Sequence, residues 1–196
     1  MIRTVQSEVR SAIRRPGGLQ IRSWVAAAML GLSLLLPYWR ITLFAPQYPG
    51  GLRAAVYLTK VSGESSEISI LNHYIGMKPL EDAAPLERRF AVPIVLAGVL
   101  AVAASPLLGP RAGRLLQAPA VLFPAGVIAD LAFWMWKFGH SLDPSAPIRI
   151  EPFMPAIIGR GAVMQFSTYA MFSGGFFLSA ATALIALHNL FHWSRR

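Results

Sequence analysis

Three stretches of this chain run for twenty residues or more with at most one formal charge. Phe90 to Pro110 and Gly161 to Ser194 carry none, and Leu115 to Trp136 carries only Asp130. Ser23 to Trp39 is charge-free as well, and beyond Arg40 the apolar ITLF extends it. A helix needs about 20 mainly apolar residues to cross the hydrocarbon of a bilayer. These runs therefore predict an all-α integral membrane protein with four transmembrane helices, at about 24–44, 90–109, 116–137 and 171–191. Residues 1–23 form a basic cytoplasmic segment and 24–196 a single membrane domain with two structured outer loops, 45–89 and 138–170. Prolines inside the runs (Pro93, Pro106, Pro119, Pro124) are compatible with membrane helices, where neighbours satisfy the freed carbonyls.

Composition narrows the partners. Hydrophobic residues make up 55% of the chain and charged residues 14%, against about a quarter charged in soluble proteins. A net charge of +9 points to nucleic acid only when the basic residues share a solvated face. Here they flank apolar runs, so the bilayer is the expected partner and nucleic acid is not. The absence of cysteine excludes disulfides, thiolate metal sites, Fe–S clusters and cysteine nucleophiles.

Arg3, Arg10, Arg14, Arg15 and Arg22 precede the first run, Arg111 and Arg114 lie in the short link after the second, and Arg195 and Arg196 end the chain. The positive-inside rule then places both termini in the cytoplasm and both long loops outside. No small-x-small cleavage site follows the first run, so it reads as a retained anchor and not a signal peptide. Ile2, Val5, Val9 and Ile13 permit a short amphipathic helix before Pro16-Gly17-Gly18; a disordered basic tail fits equally well.

In the first outer loop, APQYPGGL turns the chain out of the membrane, RAAVYLTKVSG reads as a short strand or helix, and NHYIGM reads as a turn. The second loop, rich in Pro and Gly, resists a regular element. Chemistry-bearing residues gather here. His73 and Met77 are four apart, and His140 precedes Asp143 in GHSLD. Imidazole plus thioether suits copper where no thiolate exists, although a lone His-x3-Met is far more often a packed or hydrogen-bonded pair. Met154 and Met164 could add thioethers, but single methionines near membranes are commonly gap-fillers; His188 and His192 read as interfacial residues. Asp130, the one acid inside a span, reads as half of an internal ion pair with Arg40 or Lys137, or else as a proton relay. No P-loop, GxSxG or HExxH motif is present, so an enzyme is not expected. Gly/Ala-rich faces (AGVLAVAAS, SGGFFLSAATA) suit close helix contact, within the chain or with a larger membrane complex.

The blocks APQYPGGL, LNHYIGM, Asp130-x3-Trp134-x4-Gly139-His140, LDP-x-AP and IIG resemble a family of small bacterial membrane proteins marked by LNHYIGM and GHxLDPxAPI. The resemblance covers about residues 24–176. It carries over Asn72, His73, Tyr74, Gly76, Met77, Asp130, Trp134, Gly139, His140, Asp143 and Pro147. The chain departs from the family pattern at Met135, Lys137, Met154, Met164 and Gly161. Through the copper-handling genes that accompany such proteins, the resemblance implies a role in handling Cu(I) on the outer face of the membrane. That role would serve maturation of a copper enzyme such as nitrous oxide reductase, beside a copper chaperone or an ABC transporter. His73, Met77 and His140 would be the metal ligands, with Asp143 orienting His140 and with Asn72, Tyr74, Asp130 and Trp134 in supporting or structural roles. The alternative is a non-catalytic scaffold or accessory subunit of a larger membrane complex.

Overall fold

The computed structural model describes residues 17–193, so the basic segment through Pro16 and the final arginines lie outside the described residues. Five helices and five strands follow one another: α1 (Gly18–Ser33), β1 (Trp39–Ala45), β2 (Tyr48–Val56), β3 (Val61–Gly63), α2 (Ser65–Tyr74), α3 (Pro85–Ala104), α4 (Pro110–His140), β4 (Gly159–Val163), β5 (Phe166–Phe172) and α5 (Gly174–Trp193). A 3-10 turn, Ser105–Leu107, continues α3, and another, Leu80–Asp82, precedes it.

The all-α expectation is overturned. The protein is mixed α/β, with an antiparallel five-stranded sheet ordered β3-β2-β1-β5-β4. The first apolar run is divided between two environments. Its helix stops at Ser33, and after Pro37 the chain becomes strand β1, where Trp39, Ile41, Leu43 and Ala45 are buried while Arg40 and Phe44 are exposed. That two-residue period marks a half-buried strand. It is concealed in the sequence because Phe44 occupies an outward position and because helix and strand adjoin without a charge between them. RAAVYLTKVSG forms the end of β2, a turn and β3, joined by pairs such as Ala55↔Ser62. The second outer loop and the start of the expected fourth span contribute β4 and β5, and β5 pairs with β1 from Trp39↔Phe172 to Phe44↔Ser167. The stretch before NHYIGM is helix α2, because Ile68, Leu71 and Asn72 recur at helical spacing and are buried against the sheet.

Among the described residues, three helical segments are long and apolar enough to cross a membrane: Pro85–Leu107, Pro110–His140 and Gly174–Phe191. Pro93, Pro119 and Pro124 lie inside these helices without ending them. The 16 residues of α1 rise only about 24 Å, short of a hydrocarbon core of roughly 30 Å, but α1 packs between α3 and α5 in the same bundle. With 31 residues, α4 is roughly 46 Å long. It therefore outreaches the bundle, and its last turns bring Met135 and Phe138 into the core beneath the sheet. The sheet caps the end of the bundle where α1 and α4 finish and α3 and α5 begin.

At the opposite end the helices are tied by polar side chains. Gln117 Nε2 donates to Ser23 Oγ and Ser105 Oγ, both at 3.0 Å. Asn189 Nδ2 donates to Ser23 Oγ at 3.3 Å and to Gln117 Oε1 at 3.4 Å. Arg22 Nε donates to Asn189 Oδ1 at 2.9 Å. Ser23, Ser105, Gln117 and Asn189 are fully buried and come from α1, the turn after α3, α4 and α5. A buried polar group stripped of its partner costs about 1–3 kcal/mol. Gln117→Leu strips three partners at once, so it should lower the thermal midpoint of the detergent-solubilised protein. Leu184→Ala, at an exposed position on α5, should leave that midpoint nearly unchanged; equal effects of the two variants would refute the clamp.

Candidate functional site

The sheet buries one face against α2, the last turns of α4 and the irregular segment before β4. Two chain corners meet at the edge of this core. In the first, α2 ends through amide bonds from Gly76 to the His73 carbonyl (3.1 Å) and from Met77 to the Asn72 carbonyl (2.9 Å). The second follows α4: Asp143 Oδ1 accepts from the Ser145 amide at 2.8 Å and from its hydroxyl at 2.7 Å. The corners are stitched together by Asp143 N–H to the Gly76 carbonyl (2.9 Å) and Ile148 N–H to the Tyr74 carbonyl (3.0 Å). NHYIGM and GHSLDPSAPI thus form one structural unit.

Two glycines make the junction possible. Gly76 has φ +79, and a Cβ there would sit 2.8 Å from both the nitrogen and the carbonyl oxygen of Asp143. Gly139 is buried where the segment leading to β4 crosses α4. Phe153 N–H donates to the Gly139 carbonyl at 3.1 Å, and a Cβ on Gly139 would collide with the Phe153 carbonyl oxygen.

The candidate ligands are brought into one neighbourhood but not into one cluster. His73 is exposed at the end of α2 and interacts electrostatically with Asp143. His140 is exposed too; its ring stacks on Trp136 with centroids 4.8 Å apart, and its Nδ1 lies 2.9 Å from the Trp136 carbonyl oxygen. That contact occupies one ring nitrogen. Asp143 faces Ser145 and His73, while the His140 nitrogen is held by its own helix. Met77 points the other way, into the core, at 9% exposure. Asn72 is buried and Tyr74 exposed. Among the described residues, no three His, Asp or Glu side chains gather closely enough to hold a metal ion.

Met77 faces a cavity of about 240 Å³ that Met135 and Met154 also line. The three methionines come from the α2 corner, α4 and the segment before β4. Met135 is buried and Met154 is 47% exposed. The three residues lie far apart in the sequence, at 77, 135 and 154, and no spacing signal joins them.

A second, larger cavity of about 440 Å³ lies between α3, α4 and the β2–β3 edge. Trp39, Leu80 and Met135 belong to the walls of both cavities. Asp130 and Trp134 line the larger one, with Glu87 and Arg88 at the start of α3. Of the cations considered as partners for Asp130, Lys137 stands over the Trp134 ring with Nζ 4.6 Å from its centroid, and Arg40 is on the exposed side of β1. The groups acting on Asp130 are Glu87 and the Trp134 indole. No protein-family model matches this chain, and no curated protein matches it significantly.

Gly139→Ala should prevent docking of the 150–158 segment, and Gly139→Ser should do the same. Protease cleavage within that segment should then accelerate severalfold in folded, detergent-solubilised protein, whereas unchanged cleavage would remove the role assigned to Gly139. Asp143 offers a pH test. The Ser145 side chain first, and then its amide, hold the Asp143 carboxyl below its ordinary range. With the folded value depressed, the stabilisation of this turn is complete above the unfolded carboxylate value and is lost as pH falls through the folded one. The Ser145 amide NMR shift should therefore titrate at a lower pH than aspartate in an unstructured peptide; coincidence of the two midpoints would rule out the interaction.

Proposed function

We propose that this protein is a membrane accessory protein that receives and passes on Cu(I) at the capped end of its helical bundle. The observation that carries the reading is the cavity lined by Met77, Met135 and Met154. Thioethers are soft, neutral donors that select Cu(I) over harder cations, and the half-exposed Met154 gives the two buried sulfurs a route to the surface. His73 and His140, exposed on the joined corners, serve as landing ligands from which the ion moves inward. Cu(I) is cargo here, held by neutral groups weak enough to release it to a partner such as a copper chaperone or a maturing copper enzyme.

The same reading puts the bundle in the bacterial cytoplasmic membrane with the sheet outside. Arg22, Arg111 and Arg114 lie at the uncapped end, which supports a cytoplasmic position for that end and both termini. A non-catalytic scaffold is the competing reading. One of its supports is weakened, because Val102 and Ser105 of the first Gly/Ala-rich face and Ser179 and Thr182 of the second are buried inside the bundle.

A Cu(I) competition titration with a colorimetric chelator tests the assignment on the detergent-solubilised chain. Methionine-to-leucine exchange preserves volume and usually costs under about 1.5 kcal/mol of stability. Met77→Leu, Met135→Leu and Met154→Leu should each weaken one-to-one binding by about tenfold or more. His73→Ala and His140→Ala should slow transfer to the chelator while changing the affinity little. A wild-type protein that fails to compete would sink the copper reading, and a stoichiometric co-purifying partner would then favour the scaffold.

A further inference from the structure

The larger cavity has features that copper handling does not use. Its walls come mainly from apolar residues of α3 and α4, two segments of membrane-spanning length. Ile94 and Leu122 line it and are also exposed on the outer surfaces of those helices. The cavity therefore communicates with the side of the bundle that faces hydrocarbon in a membrane. Its volume of about 440 Å³ lies within the range of small-molecule sites, roughly 300–1,000 Å³.

The polar groups on this apolar surface are few and mismatched. Trp134 Nε1 is buried without a hydrogen-bond acceptor, although an orphaned buried donor is rare in a folded protein. Asp130, one helical turn earlier on the same face, lines the same cavity beside that indole. Its other electrostatic neighbour is the like-charged Glu87. Arg88 is already committed, donating to the carbonyls of Leu80 and Glu81 at 3.0 and 2.6 Å. The site thus presents one buried donor without an acceptor beside a carboxyl group that lines the same cavity.

A hydroxyl serves both groups with one oxygen, accepting from the indole and donating to the carboxylate. An ammonium group cannot accept, and a ketone carbonyl cannot donate. We propose that this cavity binds the hydroxyl-bearing head of a lipid-soluble molecule, with the oxygen set between Asp130 and Trp134 and the apolar body extending past Ile94 and Leu122. Trp39, Phe123 and Trp134 supply aromatic walls, which favour a hydroquinone-type ring over a glyceride as the source of that hydroxyl.

Calorimetric titration of the full chain in detergent tests this with three probes: a decyl-substituted hydroquinone, its dimethyl ether, and dioctanoylglycerol. The hydroquinone should bind at least tenfold more tightly than the ether. Trp134→Phe, which removes the N–H and keeps an aromatic ring, should weaken the hydroquinone about fivefold to tenfold and leave the ether unchanged. Asp130→Leu should abolish the discrimination between them, and Leu184→Ala, exposed on α5 and away from the cavity, should not affect it. Dioctanoylglycerol binding with the same Trp134 dependence, in place of the hydroquinone, would uphold the hydroxyl assignment and name the other source. Equal binding of hydroquinone and ether by the wild-type protein, or binding of none of the three, overturns the proposal without any appeal to a variant.

Discussion

β1 is hydrogen-bonded on both sides, to β2 just ahead of it in the chain and to β5 from the last third. This second pairing fixes more than a sheet. Each strand is joined to a bundle helix by a short connection, with Ser173 N–H donating to the Tyr38 carbonyl and Gly175 N–H to the Pro37 carbonyl at the junction. The place where α1 leaves the bundle and the place where α5 enters it are therefore held by one set of backbone bonds. At the far end, Gln117 and its partners tie the same helices again. A bundle pinned at both ends keeps its helices in register even though lipid supplies no hydrophobic force to drive them together.

Between these pins, α4 links the membrane part to the cap. It continues past the bundle until Met135 and Phe138 become core residues of the sheet layer, and its end, Gly139-His140, receives the crossing segment. One rod thus combines a stretch long and apolar enough to cross a membrane with a tip packed into the core of the sheet layer. The sheet's buried face is closed by residues from α2, α4 and the 148–157 segment, elements distant in sequence whose meeting depends on the junction of the two corners.

Much of this arrangement is legible in the chain, and the boundary has physical causes. Three of the expected spans coincide closely with apolar helices because a membrane-length run without charge has few other uses. The strand Trp39–Ala45 was concealed because its apolar residues adjoin those of α1, so hydrophobicity alone could not separate lipid-facing helix from sheet core; Pro37 was the available sign. β3 and β4 are short, and α2 has a single buried stripe too brief to stand out. The apolar residues Ile148, Ile150, Phe153 and Ile157 argue from sequence for two outer loops packed together, but the backbone bonds joining NHYIGM to GHSLD leave no sign in it. Ser23, Gln117 and Asn189 left no pattern because isolated polar residues in apolar runs become a network only when the helices are assembled.

Trp39, Leu80 and Met135 form a partition with one compartment on each side. Interiors are close-packed, so a side chain displaced from one surface of such a partition intrudes upon the other. Occupancy on either side that shifts the Trp39 indole or the Met135 thioether changes the free energy of occupancy across it, by the same factor in both directions. The indole is anchored through Nε1 to the Ile157 carbonyl at 2.7 Å, within the crossing segment. Such a displacement would also be transmitted to the loop that carries Met154, making the aperture of the smaller compartment responsive to the contents of the larger.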